Sequence, residues 1–205
     1  MLEASHLECV RGNRTIFRDV SFAVRPGDCF RLTGRNGSGK TSLFRMLCGL
    51  MSPASGTIRW HGAAIHTVRE EYFSSIAYVG HRPGIKDEFS AMENLRVSSG
   101  IRGMQVSRNV AASALERMGL GCRMHLPSRF LSEGERRRVA IAGLAVGRSS
   151  LWLLDEVLTS LDRIAVETIQ LLMEDHLAAG GMAIVATHQE LELSSGGSQR
   201  IELAS

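Results

Sequence analysis

The octapeptide Gly34-Arg-Asn-Gly37-Ser-Gly39-Lys40-Thr41 constrains this chain more than any other feature. It fits the pattern G-x-x-x-x-G-K-[ST], in which the backbone N–H groups of a glycine-rich turn close around phosphate oxygens. Glycine leaves space that a Cβ would fill and accepts backbone angles that other residues avoid. The pattern requires a strand before it and a helix after it. Cys29–Thr33 reads as the strand; Leu43, Met46, Leu47 and Leu50 recur at helical spacing until Pro53 and Gly56 end the segment. A helix beginning at about Gly39 adds its positive N-terminal end. The candidate nucleotide-binding residues are therefore Gly34, Arg35, Asn36, Gly37, Ser38, Gly39, Lys40, Thr41 and Ser42. Lys40 supplies a point charge for the β- and γ-phosphates, and the Thr41 hydroxyl is a candidate Mg²⁺ ligand. Lysine is otherwise scarce: of 24 basic residues only Lys40 and Lys86 are lysine.

A phosphate site that does chemistry needs a metal ligand and a group to activate water. Leu151-Trp-Leu-Leu154-Asp155-Glu156 is an apolar run ending in two carboxylates, as expected of a strand buried on both faces that delivers ligands at its C-terminal end. Asp155 is the candidate Mg²⁺ ligand, and Glu156 the candidate residue to orient or deprotonate the attacking water. His188 ends the next apolar strand, Met182–Ala186, and a parallel arrangement would bring it beside the γ-phosphate. Lys40, Glu156 and His188 are thus the candidate catalytic residues.

The remainder of the chain suits one domain. At 205 residues, 44% hydrophobic and 22% charged, it has material for one sizeable core and is neither disordered nor a disulfide-stapled miniprotein. A net charge of +3 lacks the concentrated excess of a nucleic-acid footprint. No window is long and apolar enough to span a membrane, and the N-terminus lacks a basic-then-apolar leader, so the chain is expected to stay in the cytoplasm. Cys9, Cys29, Cys48 and Cys122 form no Cys-x-x-Cys pair and read as reduced core thiols. Val20, Phe22 and Val24 alternate with polar or small neighbours as a half-buried strand, and Thr57–Trp60 and Ile76–Val79 read as further strands. Ser90-Ala-Met-Glu93 is a capping box opening a helix, and Val110, Ala111, Ala114, Leu115 and Met118 mark another. Ser132 opens a helix running to Val146, and Ile164, Thr168, Ile169, Leu172, Met173 and Leu177 make an amphipathic helix before Gly180-Gly181. The whole reads as an α/β fold around a buried parallel sheet, interrupted from Pro83 to Arg129 by a helical lobe.

The segment Leu131-Ser132-Glu133-Gly134-Glu135, followed by Arg136, Arg137 and Arg138, resembles the signature motif of ABC-type ATPases. Glycine-rich loop, signature, acidic strand end, Ser160-Leu161-Asp162 (resembling the D-loop) and His188 (resembling the switch histidine) follow the family's order across nearly the whole chain. The resemblance implies a P-loop NTPase core with N-terminal antiparallel strands and an inserted helical subdomain: residues 1–82 and 130–205 for the nucleotide-binding core, 83–129 for the insert. It also implies ATP and Mg²⁺, and a homodimer in which Ser132 and Gly134 of one subunit cover the nucleotide held by the other. Ser132 and Glu135 make a capping box, so a helix N-terminus would point at the partner's γ-phosphate.

Several positions depart from the family pattern. Glu133 stands where Gly is usual, Glu135 where Gln is usual, and Val157 where Pro usually follows the glutamate. His81 replaces the usual Q-loop Gln, and imidazole is a poorer Mg²⁺ ligand than oxygen. Arg11 stands where an aromatic commonly stacks on adenine, with Phe17 as a second candidate. Three stretches resemble the haem exporter ATPases of cytochrome c maturation: Leu7-Glu-Cys-Val-Arg-Gly12, Gly80-His-Arg-Pro-Gly-Ile-Lys86 leading to Glu93-Asn-Leu95, and Gly180-Gly-Met-Ala-Ile-Val-Ala-Thr-His-Gln189. That resemblance implies an ATP-hydrolysing subunit held on the cytoplasmic face of the inner membrane by integral subunits of the CcmB and CcmC type. Its role there would be release of a haem-loaded chaperone. No haem pocket is expected, and His6, His61, His66, His125 and His176 read as ordinary surface or core residues. The rival readings are the ATPase subunit of another ABC transporter, a regulatory clamp that scarcely hydrolyses ATP, and an ABC ATPase acting on nucleic acid. The last would need inserts or basic extensions that this chain lacks, and Arg136–Arg138 read as a solvated or subunit-facing helix surface.

Overall fold

The computed structural model describes residues 1–159, 161–189 and 198–203. The chain begins with two long antiparallel strands, β1 (Leu2–Arg11) and β2 (Arg14–Val24), joined at Gly12-Asn13. With β4 (Ser55–Trp60) and β5 (Ala63–Ala64) they form a sheet ordered β2-β1-β4-β5. In β2, Val20 and Phe22 are half-buried and Val24 is buried, while Ser21 and Ala23 face solvent, as the alternation requires.

The second sheet is parallel, ordered β6-β7-β8-β3-β9. Its strands are β3 (Cys29–Thr33), β6 (Ile76–Val79), β7 (Leu151–Asp155), β8 (Met182–Ala186) and β9 (Ser198–Glu202). The continuous apolar runs of β7 and β8 are explained by the layers on either side. Leu151, Leu153, Met182, Ile184 and Ala186 face the core shared with α1 (Lys40–Leu47) and the antiparallel sheet. Trp152, Leu154, Ala183 and Val185 face the opposite core, shared with α5 (Glu133–Val146) and α6 (Arg163–Ala178). A strand covered on both faces has no solvent side, so its pattern is unbroken rather than alternating.

Between β6 and α5 lie α3 (Ala91–Ile101) and α4 (Arg108–Arg117); α2 (Arg69–Ser75) precedes β6. Ser90 caps α3 through the reciprocal bonds of its capping box with Glu93. The residues of 83–129 share one core with α5 and α6: Met92, Leu95, Ala111 and Leu115 pack with Val139 and Ile141.

Cys9, Cys29 and Cys48 are buried free thiols, but Cys122 is exposed in the short turn Gly121–Arg123, so the core reading fails there. Three periodic positions also face outward. Leu50 lies beyond the end of α1 and is 67% exposed, because the helix stops at Leu47 and Gly49 reverses the chain. Val110 and Ile164 are exposed in the first turns of α4 and α6, where the buried neighbours Ala111 and Ala165 sit about 100° further round the helix. The expectation that Arg136–Arg138 form a solvated or subunit-facing surface is overturned. Arg137 is only 1% exposed, Arg136 pairs with Asp87 at 2.7 Å, and Arg138 donates to the Met118 carbonyl at 3.1 Å. The apolar stripe of α5 leaves these stems lying against the neighbouring loops and helices, with their charged ends satisfied there.

Candidate active site

In a parallel sheet the C-terminal ends of all strands emerge at one edge, and the register here aligns them closely. Leu32 of β3 and Asp155 of β7 both pair with Ala186 of β8, so the loops after the three strands leave from one row. The first carries Gly34–Lys40, the second Glu156, and the third Thr187 and His188. The sequence places these residues far apart; the sheet register brings them together.

The glycine-rich loop is built to leave its interior open. Gly34 has φ +151°, and a Cβ there would stand 2.5 Å from the Ser38 hydroxyl oxygen. Gly39, the residue before α1, has φ +99° and rests on Ile16 and Phe17, where a Cβ would come within 2.7–2.8 Å of both side chains. Phe17 is therefore buried beneath the loop and cannot stack on a base, which removes it as the second candidate. Arg11 and Ile16 instead line the cavity of about 350 Å³ with Asn36, Gly37, Thr41 and Glu156. The N-terminus of α1 carries no side-chain cap, so its first N–H groups face that cavity without an internal partner. The Ser38 hydroxyl is buried with no hydrogen-bond partner. An open cradle, an uncapped helix end and an orphaned buried hydroxyl together fit a bound phosphate.

Lys40 is buried. Its Nζ donates to the carbonyls of Gly34 (2.8 Å) and Arg35 (3.4 Å) and stands 3.7 Å from Glu156 Oε1. His188 Nε2 is 3.9 Å from that same oxygen. The turn that presents His188 is fixed by the buried Thr187, whose hydroxyl accepts from the Gln189 amide at 3.0 Å. Glu156 has φ +57°, uncommon for a residue with a side chain. Its amide donates to the Ala186 carbonyl at 3.0 Å.

Asp155, at the end of β7, is buried, and burial pushes its carboxyl above the usual carboxylate range; the neighbouring Glu156 charge adds to the rise. The Thr41 and Tyr78 hydroxyls and the Lys40 charge oppose it. Tyr78 Oη lies 3.4 Å from Asp155 Oδ2, and its own phenol is pushed up to about 12 by burial and by Asp155. Tyr78 escaped sequence reasoning because it reads as one more apolar member of β6; its pairing opposite Leu153, two residues before Asp155, is visible only in the register. The Thr41 hydroxyl and the Asp155 carboxylate, in contact and both oxygen donors, fit Mg²⁺, which takes one or two protein oxygens with substrate phosphates. Among the described residues no three His, Cys, Asp or Glu side chains converge as a metal cage would need. The His81 side chain is exposed at the end of β6, and its carbonyl accepts from Arg137.

Ser132 and Gly134 stand apart from this cluster, at the start of α5. The polar contacts of Ser132 run to Glu135 and the Arg136 amide, within its own helix. Burial would raise the Glu135 carboxyl, but the Ser132 amide and hydroxyl and the Arg123 guanidinium (3.2 Å) hold it below its usual range. Glu133 turns back onto Arg137 at 3.2 Å. Asp162 caps α6 by accepting from the Ala165 amide; Ser160, the first residue of the D-loop resemblance, lies outside the described residues. Of the other histidines, His176 stacks on Trp152 with centroids 3.8 Å apart, His61 meets Trp60 edge-on, and His6 pairs with Asp19. His66 and His125 are exposed.

Comparison with known proteins is consistent with this geometry. Residues 17–159 match the ABC transporter family. The cytochrome c biogenesis ATP-binding export protein CcmA of Nitrosospira multiformis is 48% identical over 202 residues, covering 98% of each chain. CcmA of Nitrosomonas europaea is 50% identical over 195 residues, covering 95% of this chain and 92% of its own. A Pyrococcus furiosus ABC transporter ATP-binding protein of known structure shares the fold with a TM-score of 0.85 at 21% identity, over 98% of this chain and 96% of its own. The chain belongs to the ABC transporter family, as an ATPase of the cytochrome c biogenesis ATP-binding export type.

Proposed function

We propose that this ABC-type ATPase works as a homodimer that closes around two molecules of ATP. Lys40 and the loop Gly34–Thr41, with Ser42 behind it, hold the phosphates of the subunit's own nucleotide. Ser132 and Gly134 at the tip of α5 meet the nucleotide held by the partner subunit. Thr41 and Asp155 are the Mg²⁺ ligands; when bound, the ion neutralises phosphate charge and polarises the γ-phosphoryl group. Glu156 orients the attacking water and takes its proton as the water oxygen bonds to the γ-phosphorus and the bond to the β-phosphate oxygen breaks. His188, near the same carboxylate oxygen, holds the γ-phosphate in line. The observation that supports this reading best is the convergence of Lys40 and His188 on Glu156 Oε1, at 3.7 and 3.9 Å.

Residues 83–129 form the helical subdomain that faces integral membrane subunits of the CcmB and CcmC type, and residues 1–82 and 130–205 the nucleotide-binding core. Among the described residues no helix is long and apolar enough to cross a membrane, so attachment to the cytoplasmic face of the inner membrane would come through such partners. The relatives' name places them in cytochrome c biogenesis; for this chain that means powering haem export or release of a haem-loaded chaperone, without haem binding by the chain itself.

Glu156→Gln tests the core of the proposal. Turnover is expected to fall at least about 100-fold, the scale for removing a positioned general base, and Mg-ATP is expected to convert the variant to a stable dimer by light scattering. Unchanged turnover removes Glu156 from the chemistry, and a strict monomer at saturating Mg-ATP removes the closed dimer. Purification from detergent-solubilised membranes, with identification of the bound integral proteins, tests the haem-delivery assignment against another ABC system.

A further inference from the structure

A buried guanidinium is costly unless its hydrogens find acceptors, and the acceptors chosen show which parts of the chain it ties together. Arg137 projects from the second turn of α5 into the interior. Its Nη1 donates to the carbonyls of Glu156 (3.3 Å) and Thr159; its Nη2 donates to the His81 carbonyl (3.1 Å) and pairs with Glu133 (3.2 Å). Nε makes no bond, so the site is organised around the forked end of the side chain. One side chain therefore spans three segments: the turn after β7, the end of β6, and the first turn of α5.

The turn after β7 is where the chain needs such support. Glu156 is held in the left-handed region, which is unfavourable for a side-chain-bearing residue and persists only where the surroundings fix it. Its amide is fixed by the Ala186 carbonyl, and its carbonyl by the Thr159 hydroxyl (2.9 Å) and by Arg137. Of these anchors only Arg137 comes from outside the sheet and the turn itself. Glu133, where a small residue is usual in the family, is the counter-charge that makes the buried guanidinium tolerable and is itself drawn back from the open face of the α5 tip.

We propose that Arg137 is a positioning residue for hydrolysis: it fixes the backbone of Glu156 from the signature helix, so that the tip serving the partner's nucleotide and the carboxylate serving the subunit's own nucleotide are held as one unit. This rests on the roles given above to Glu156 and to the tip of α5. The test is a double-mutant cycle of Arg137→Lys with Glu156→Gln, read by single-turnover hydrolysis of radiolabelled ATP and by ATP affinity. Lysine keeps the charge for Glu133 but replaces the planar fork by a single point donor. Arg137→Lys alone is expected to lower the rate about tenfold with ATP affinity within about twofold, a loss of geometry rather than of binding. In the Glu156→Gln background the same change is expected to lower the residual rate by less than about twofold, since the group it positions is gone. Equal losses in both backgrounds, or no loss in either, overturn the proposal. Should Arg137→Lys not fold, Glu133→Ala, made on the exposed end of the pair, replaces it: a loss confined to the Glu156 background supports the link, and an equal loss or none refutes it. If Glu156→Gln alone leaves the rate unchanged, the fault lies with the role assigned to Glu156 and not with Arg137.

Discussion

Two helix N-termini of this chain, those of α1 and α5, are finished in opposite ways. At α1 the preceding residue is a glycine in the left-handed region, no side chain caps the first turn, and a buried serine hydroxyl is left without a partner. At α5 the first turn is closed by a full capping box and carries Glu133 and Glu135, each paired with an arginine. The first terminus has its donors free and is completed by an anion within one chain. The second has already satisfied most of its own groups, and in the proposed dimer it would act only on a nucleotide presented by another molecule. In the proposed dimer binding and closure are thereby separated: one chain would capture ATP, and two would enclose it.

If that separation is right, the two termini respond very differently to loss of their key side chain. Lys40→Ala removes a buried ammonium beside two carboxylates and a triphosphate site. Each lost charge-assisted hydrogen bond is worth about 1.5–3 kcal/mol, so ATP affinity of the isolated chain, measured by titration calorimetry, is expected to fall at least about 100-fold. A fall of less than tenfold would mean that the uncapped helix end and the glycine loop hold phosphate without it.

Most of the first terminus is legible in the sequence, because a glycine loop that admits phosphate tolerates few substitutions and keeps a fixed spacing. Met182–Ala186 is also legible to the residue, since a strand buried on both faces shows an unbroken apolar run; Cys29–Thr33 and Ile76–Val79 are legible as well, the first because the glycine loop requires a strand before it. What the sequence conceals is whatever depends on the third dimension. Tyr78 looks like core and contacts Asp155; Arg137 looks like surface and is among the most buried side chains in the molecule. Phe17 looks like a base platform and is the floor under Gly39. Periodicity says that a residue lies on a covered or open face, but not what covers it, and a charged side chain inside a run of three arginines gives no sign of which one turns in.

The second terminus is expected to show the reverse of the Lys40 response. Ser132→Ala deletes the side-chain acceptor for the Glu135 amide and with it the reciprocal box. The loss is about 1 kcal/mol of stability, about 2–4 °C in a chain of this size. ATP affinity of the isolated chain should stay within about twofold, while the ATP-driven dimer of a Glu156→Gln background should weaken. Equal loss of monomer affinity in Lys40→Ala and Ser132→Ala would break the distinction between the two ends.

The smallest expected effect distinguishes the two sites by the sign of their dependence on pH. Asp155 has its carboxyl raised by burial, so the folded, ligand-free chain binds its proton more tightly than the unfolded chain does. Its contribution is most favourable below the ordinary value near 3.8 and is lost as pH rises through the raised folded value; at neutral pH the charged, cation-free Asp155 costs stability. Glu135 is held low by its cap and by Arg123, so its contribution is present above the ordinary value near 4.5 and is lost as pH falls through the lowered one. In thermal melts without nucleotide or metal at pH 7, Asp155→Asn should therefore raise the midpoint and Glu135→Gln should lower it, each by less than the Ser132→Ala change. Both differences should shrink toward pH 4. With Mg-ATP the Asp155 variant should lose its advantage, because the wild-type carboxylate then has a cation to hold. A destabilised Asp155→Asn chain in the ligand-free state would show that the carboxylate is already satisfied by Thr41 and Tyr78, and that the open terminus is less dependent on its ligand than the contrast with α5 implies.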